Sequence, residues 1–358
     1  MPADATPRQD ERIRSVSFFQ SALSRPELGS VCGLILIVIA FVIMTSSAGT
    51  FSAMWTNPTG IQAWVELAAY VGILSVAASM LMISGEFDLS IGANIALAGH
   101  TFAIQVLLGV PIPIAVLFTF IALAALGALI GTIVVRTGLP SFIVTLGFWF
   151  ASRGFAIFMS QTLFQQSRLS IRPFVDPPAG GGEDPTWIDN VFAFDRAFGL
   201  PFDAYFYYFI IIAVAATYML QRTRYGNWIF ASGGDPVAAR AVGVPVARVK
   251  ISLFMFSASM ACLLGVVTVM SSGSADPQAG DFRELHAIAA AVIGGCALTG
   301  GYGSVVGAVF GAFIFAIASR GINFVPFIDN NLFRVMLGLL ILGAALLNQA
   351  LRNRVVKG

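Results

Sequence analysis

Charged residues are scarce in this chain of 358 residues. Only 11% of them are Asp, Glu, Lys or Arg, whereas a soluble domain carries roughly a quarter. The 20 basic and 18 acidic side chains nearly balance, which argues against nucleic-acid binding. Apolar residues make up 57% of the chain, so intrinsic disorder is excluded as well. The composition therefore predicts a polytopic membrane protein.

Cysteine and histidine are almost absent, and catalytic motifs are missing. The three cysteines stand in apolar surroundings without CxxC spacing, which predicts buried thiols rather than disulfides or a metal site. The two histidines are isolated. The sequence contains neither the G-x4-G-K-[ST] loop that binds nucleotide phosphates nor an HExxH or GxSxG motif. We therefore expect a chain that is not an enzyme, binds no metal or cofactor and does not hydrolyse ATP by itself.

Long apolar runs, by contrast, are frequent. A helix needs about 20 mostly apolar residues to cross the hydrocarbon core of a bilayer. The candidate spans cover residues 31–48, 61–83, 89–108, 111–135, 141–160, 204–220, 251–270, 285–298, 303–319 and 332–347. The eighth and ninth of these are short and rich in glycine. The predicted fold class is an all-α polytopic membrane protein with about ten transmembrane helices.

The distribution of basic residues predicts the topology. Arg and Lys are concentrated at the two ends of the chain and in residues 221–250, which the positive-inside rule assigns to the cytoplasm. We expect cytoplasmic tails at 1–28 and 351–358 and a membrane domain at 29–350. Residues 161–203 then form a long acidic loop on the periplasmic side, and such a loop is either functional or disordered.

Two stretches, 83–94 and 293–304, look alike and lie in opposite halves of the chain. Each interrupts an apolar helix with small residues, as ISGEFDLSIGAN and IGGCALTGGYGS. Two pseudo-repeated halves with broken helices are typical of transporters, in which such breaks border the transport path. The alternative is that the glycines only allow close helix packing. Packing is the expected role of the glycines in GxxxG spacing, Gly127, Gly131, Gly303, Gly307 and Gly311.

Glu86 and Asp88 are the acidic residues of the first break. On a continuous helix they would point about 200° apart, so they form one acidic site only if the backbone is irregular. Carboxylates at membrane depth are costly and by default functional, which makes both of them candidates for the translocation path. Ion pairing, lining a gate and capping the next helix are all open. Asp88 together with Ser90 fits an N-cap at the start of the third span.

Glu66 and Arg153 lie within the second and fifth predicted spans. Because either charge alone is costly inside a membrane, a buried ion pair between them would explain both. The alternative is that each side chain reaches the outer interface or water separately.

The segment ASGGDPVAARAVGV at 231–244 predicts a short capped helix. Asp235 is a good N-cap, Pro236 suits the first helical position and Gly243 suits a left-handed stop. A helix this short is marginal alone and needs a partner surface. On the predicted topology it is either a contact point for another cytoplasmic protein or a connector lying at the membrane interface.

Four motifs resemble the permease subunits of bacterial ribose/xylose-type sugar ABC importers. They are GEFDLSIG at 85–92, GLPSFIVTLG at 138–147, GGDPVAAR at 233–240 and GGCALTGGYGS at 294–304. They occur in the order that the family has, and the resemblance extends from about residue 60 to 348. The chain departs from the family at Glu86, where an apolar residue is common.

The resemblance implies a set of partners. Two permease copies would form the membrane channel as a homodimer in the bacterial inner membrane. A cytoplasmic ATPase with two fused nucleotide-binding halves, carrying ATP and Mg, would drive transport, and a periplasmic sugar-binding protein would deliver the cargo. The family's ATPase-coupling segment matches Gly233, Gly234, Asp235, Pro236, Ala238, Ala239, Arg240 and Gly243.

The implied cargo is a neutral monosaccharide or polyol, such as ribose, xylose, fructose or inositol. Its site would combine aromatic faces with hydroxyl, amide and carboxylate partners. Candidates for the translocation path are Glu86, Asp88, Ser90, Asn94, Thr145 and Asn323. Two alternatives stay open: a permease for branched-chain amino acids in the same superfamily, and an ion-coupled secondary transporter that uses Glu66, Glu86 or Asp88.

Overall fold

The computed structural model describes residues 26–175 and 202–326, with 335, 338, 339, 342 and 343 beyond them. Its helices are α1 Pro26–Ser47, α2 Phe51–Trp55, α3 Pro58–Ile83, α4 Ser90–Leu107, α5 Ile112–Thr137, α6 Ser141–Phe164, α7 Arg172–Val175, α8 Ala204–Arg222, α9 Arg224–Gly234, α10 Pro236–Ala241, α11 Val246–Ser272, α12 Arg283–Ile293 and α13 Val305–Gly321. A 3₁₀ turn, Ile322–Phe324, follows α13.

Polar and glycine residues set the helix ends. Asn57 caps α3, since its side chain accepts a hydrogen bond of 3.0 Å from the amide of Thr59, and Pro58 fills the first helical position. Gly138 ends α5 in the left-handed conformation, with φ at +68°. The Ser304 side chain caps α13.

Eight helices of the described chain are long and apolar enough to cross a membrane: α1, α3, α4, α5, α6, α8, α11 and α13. The all-α membrane fold is therefore confirmed. The predicted eighth span is wrong, because α12 has only 11 residues. At 1.5 Å per residue it covers roughly half of a 30 Å hydrocarbon core. The predicted tenth span at 332–347 lies largely outside the described residues.

Helices α3 and α4 lie at the centre of the bundle. Helix α3 packs against α8, α11, α12 and α13, and α4 packs against α6 and α11. Large apolar side chains on α1, α5, α6 and α8 are exposed, as expected for a surface that faces lipid.

The predicted packing role of the GxxxG glycines is confirmed at both seams. A Cβ on Gly127 of α5 would lie 2.5 Å from the carbonyl oxygen of Phe254 on α11. A Cβ on Gly311 of α13 would lie 1.9 Å from the carbonyl oxygen of Ala290 on α12. These distances leave no room for a side chain, so the glycines bring the helix backbones into contact.

A two-stranded antiparallel sheet ties the start of the predicted periplasmic loop to the segment after α11. Strand β1, Leu169–Ser170, pairs with β2, Ser274–Ala275. The rest of that loop, from 176 to 201, lies outside the described residues, as do the predicted tails except for residues 26–28.

Candidate translocation and coupling site

The first break, residues 84–89, separates α3 from α4 and is supported by side chains of α6. The Phe87 amide donates a hydrogen bond of 3.0 Å to Ser141 Oγ, and the Leu89 amide donates one of 3.1 Å to Thr145 Oγ1. Non-helical backbone inside a membrane needs such partners, since water is not there to provide them. Thr145 thus supports the non-helical backbone of the break, and its place in the translocation path stays a prediction.

Asp88 is the centre of a buried network, which we call the Asp88 network. Its Oδ1 accepts hydrogen bonds from the Ser90 amide at 2.8 Å and the Ser90 hydroxyl at 2.5 Å. Its Oδ2 accepts one of 2.6 Å from Ser257 on α11. Asn94 donates to Ser90 Oγ at 3.1 Å and accepts from Ser152 of α6 at 2.8 Å. The network joins α4, α6 and α11. Within it Asp88 binds the first amide of α4, that of Ser90, although Leu89 is the residue directly before the helix.

Glu86 forms an ion pair with Lys250 near the start of α11. The two side chains are 12% and 15% exposed, so the contact is largely shielded from solvent. Of the alternatives for Glu86, the structure shows pairing. Glu86 and Asp88 therefore have different partners and do not form one acidic site. Lys250 was not among the predicted site residues, although lysine is rare in this chain.

Both breaks meet the end of α9 at a cluster of glycines, Gly85, Gly233, Gly300 and Gly301, which we call the glycine joint. The Gly301 amide donates a hydrogen bond of 2.8 Å to the carbonyl oxygen of Ile83. A Cβ on Gly233 would lie 1.8 Å from that same oxygen and 2.8 Å from the Gly301 nitrogen. A Cβ on Gly300 would lie 2.8 Å from the Gly85 Cα. The backbones of three segments are thus in direct contact.

The predicted capped helix is present as α10. Asp235 Oδ1 accepts hydrogen bonds of 2.9 Å from the amides of Val237 and Ala238. Pro236 occupies the first turn. Gly243 has φ at +87°, and its amide donates to the carbonyl of Arg240 at 3.0 Å, which ends the helix as predicted.

One side of α10 packs against the rest of the protein, and the other side is exposed. Ala239 is buried, whereas Val237 and Val242 are 70% and 81% exposed. Arg240 and Ala238 are exposed as well. Apolar side chains displayed beside a cation are typical of a surface that meets another protein.

The predicted ion pair between Glu66 and Arg153 is wrong. Arg153 Nη1 lies 2.6 Å from Asp281 Oδ1 and donates to the carbonyl of Pro277 at 2.5 Å. Glu66 instead interacts with the side chain of Asp203. Glu66 belongs to α3, which packs mainly against α8, α12 and α13. Arg153 belongs to α6, which packs against α4.

Asn323 lies apart from the other candidates for the path. It is exposed in the 3₁₀ turn that follows α13. Seventeen residues of α13 separate this turn from the second break, a distance of roughly 25 Å at 1.5 Å per residue. The structure therefore does not bring Asn323 together with the Asp88 network.

Comparison with known families identifies the chain. Residues 60–345 match the family described as "Branched-chain amino acid transport system / permease component". This match covers both breaks, the Asp88 network, the glycine joint and α10. The chain belongs to this permease family.

Several curated permeases are similar to this one over most of their length. The fructose import permease protein of Rhizobium meliloti is 31% identical over 342 residues, which cover 92% of this chain and 87% of the relative. The xylose transport system permease protein of Escherichia coli K12 is 30% identical, with 84% and 90% covered. The ribose import permease protein of the same organism is 30% identical, with 80% and 84% covered. No solved structure matches the chain significantly.

All four sequence motifs of this permease converge in space. The motif at 85–92 contains Asp88 and donates hydrogen bonds to Ser141 and Thr145 of the motif at 138–147. The motifs at 233–240 and 294–304 meet it at the glycine joint. The motifs thus mark one contiguous region that extends from the first break to α10.

Proposed function

We propose that this permease forms the membrane path of an ABC importer for a neutral monosaccharide or polyol. The names of its relatives, which import fructose, xylose and ribose, support this cargo class. A periplasmic binding protein delivers the sugar, and two permease copies form the channel. ATP and Mg belong to a cytoplasmic ATPase with two fused nucleotide-binding halves, since the permease sequence has no phosphate-binding loop of its own.

The observation that carries this proposal is the position of α10 relative to the glycine joint. Gly233 contacts the backbone next to both breaks, and Asp235, two residues later, caps the exposed α10. A force applied to α10 reaches the breaks through touching backbones, which deform less than side chains do. ATP-driven closure of the partner would thus move the breaks as a rigid-body shift.

The proposed orientation places α10 and both termini in the cytoplasm of a bacterial cell with an inner membrane. The basic residues of 221–250 support this orientation by the positive-inside rule. The breaks then lie toward the cytoplasmic side, within reach of an ATPase.

Substitution of Arg240 tests the coupling role. In proteoliposomes that contain the ATPase and a sugar-loaded binding protein, R240E should lower sugar uptake by about tenfold, because it reverses a charge at the proposed contact. The protein should still insert normally. R136E reverses another exposed arginine, at the end of α5, and should change uptake less than twofold. Equal uptake by R240E and wild type, when both are inserted equally, would contradict the coupling role.

A further inference from the structure

A second polar cluster, formed by Trp149, Arg153, Asp281 and Glu284, lies beside the Asp88 network. Among the described residues, four of its buried atoms make no hydrogen bond: Glu284 Oε2, Arg153 Nε, Arg153 Nη2 and Trp149 Nε1. Glu284 itself is only 6% exposed. Buried polar atoms are nearly always paired, and each exception needs an explanation. In the Asp88 network, in contrast, the polar side chains form hydrogen bonds with one another.

The members of this cluster face one another. The Arg153 guanidinium lies 5.3 Å from the ring centroid of Trp149. Arg153 acts on the Glu284 carboxylate through its charge, and the Trp149 side chain approaches that carboxylate as a hydrogen-bond donor. Gly92 of α4 makes room for that carboxylate, because a Cβ on Gly92 would lie 1.9 Å from Glu284 Oε2. The unused donors and the unused acceptor therefore belong to one site between α4, α6 and α12.

The cluster lies about half-way along α6, near the middle of a candidate membrane span. Arg153 is the thirteenth of the 24 residues of α6. Glu284 is in the first turn of the short α12, ten residues before Gly294 in the second break, or roughly 15 Å at 1.5 Å per residue. Substrate sites of transporters lie near this depth, at the ends of discontinuous helices. Ionisable residues at such a depth are functional by default.

The arginine is held in place while part of its donor set stays unused. Its Nη1 bonds to Asp281 at 2.6 Å and to the carbonyl of Pro277 at 2.5 Å, which fixes the guanidinium. The charges of Arg153 and Asp281 cancel, so the site offers no net positive charge to a cargo carboxylate, whether Glu284 is ionised or neutral. This balance disfavours a cargo that carries a carboxylate and suits hydroxyl groups, which donate to a carboxylate and accept from a guanidinium.

We propose that Trp149, Arg153 and Glu284 bind the hydroxyl groups of the sugar during its passage, a site that rests on the proposed function. Glu284 Oε2 accepts a hydrogen bond from one hydroxyl, and Arg153 and Trp149 Nε1 donate to neighbouring sugar oxygens. The four atoms are covered in this conformation, so the sugar enters when α6 and α12 separate. Asp281 and Phe282, 41% and 66% exposed, mark the open edge of the site.

Direct binding to the permease–ATPase complex in nanodiscs, without binding protein, tests this site. The probes are tritiated D-fructose, D-xylose, D-ribose and L-leucine in a scintillation proximity assay. Wild type should bind at least one of the sugars in preference to leucine. E284Q should weaken that binding about tenfold, since a charged acceptor becomes neutral, and W149F about fivefold, since one neutral donor is lost.

The matched control is R168Q, because Arg168 also pairs with an acid of the same segment, Asp276 at 3.9 Å, but is exposed. It should bind sugar within twofold of wild type. E284Q removes a buried charge whose Oε2 makes no hydrogen bond among the described residues, so a purely structural role predicts unchanged sugar binding and unchanged or higher thermal stability. That result, a wild type that binds no sugar, or preferential binding of leucine would overturn the proposed site.

Sugar uptake by intact cells separates this site from the proposed function. If wild type, E284Q and W149F all transport sugar normally, the proposed site is refuted and the proposed function is not. Absence of wild-type sugar uptake, with all three components expressed, refutes the proposed function.

Discussion

Polar side chains within the membrane domain fall into two groups according to whether their hydrogen-bonding atoms are used. Asp88 uses both carboxylate oxygens within the protein, whereas Glu284 leaves one buried oxygen without a hydrogen bond among the described residues. The first arrangement fixes the break relative to three helices. The second leaves capacity for a ligand.

Replacing Asp88 with Asn should impair transport more than folding. An amide keeps only one oxygen for the donors on Ser90 and Ser257, so the link between α4 and α11 weakens. We expect the amount of folded protein to stay within twofold while uptake falls about tenfold. Uptake in proteoliposomes, normalised to reconstituted permease, measures this effect.

Ser257 and Ser79 form a control pair for the same network. S257A removes the donor to Asp88 Oδ2 and should lower uptake. S79A removes only a bond within its own helix, to the carbonyl of Val76, and should not. If uptake is unchanged in both D88N and S257A, helix capping alone explains the presence of Asp88.

The ion pair between Glu86 and Lys250 should show coupling in a charge swap. E86K and K250E each leave two like charges in a shielded contact, and each should lower the free energy of unfolding by about 3 kcal/mol. The double variant restores opposite charges and should recover most of that loss. Thermal unfolding in detergent gives all three values. Additive losses in the double variant would show that the two residues do not interact.

Individual residues were only partly predictable. The bonds between Asp88 and Ser90 could be predicted from local spacing, since the two residues are neighbours at the start of α4. The partner of Arg153 could not, because pairing across helices depends on which spans are adjacent. Glu284 could not be predicted as a site residue, because it is a single acidic residue at the edge of a short apolar run. Only its burial in the folded chain distinguishes it.

At the scale of elements, the short helix α10 and the glycine joint form one unit. The helix presents exposed valines and Arg240, and its N-cap follows Gly233 by two residues. Residues in the joint touch through backbone atoms, so the unit has little freedom to absorb a displacement.

Alanine substitutions at two adjacent glycines test the joint. A Cβ on Gly233 would lie 1.8 Å from the Ile83 carbonyl oxygen, whereas a Cβ on Gly234 meets no atom within 4 Å. G233A should therefore cost about 3 kcal/mol of stability through overpacking and abolish uptake, while G234A should leave stability nearly unchanged. Thermal unfolding and proteoliposome uptake provide the measurements, and equal behaviour of the two variants would contradict the close contact.

Most elements could be predicted because their signals are local. Apolar runs indicated the eight long helices, and Asp235, Pro236 and Gly243 marked both ends of α10. The predicted eighth span was wrong because it extended past the end of α12. The glycine-rich residues after Ile293 are as apolar as those of a helix, but the chain leaves the helix there. Contact between the two breaks also could not be predicted, because it depends on tertiary packing.

For the whole molecule, the central claim is that the permease is a passive path moved by a partner. Its family membership and the contact of Gly233, at the end of α9 and just before α10, with both breaks support this division of labour. The rival arrangement is a transporter that couples cargo to an ion gradient through buried carboxylates. The two arrangements differ in what drives accumulation of the cargo, which is ATP hydrolysis by a partner in the first and an ion gradient in the second.

Accumulation of tritiated sugar in proteoliposomes tests this claim most directly. Vesicles would contain the permease alone, or the permease with its ATPase and a binding protein, each with ATP or with an imposed proton or sodium gradient. If a partner ATPase drives transport, sugar accumulates uphill only when all three proteins and ATP are present, and an uncoupler has no effect. Accumulation by the permease alone, driven by an ion gradient, would contradict this claim.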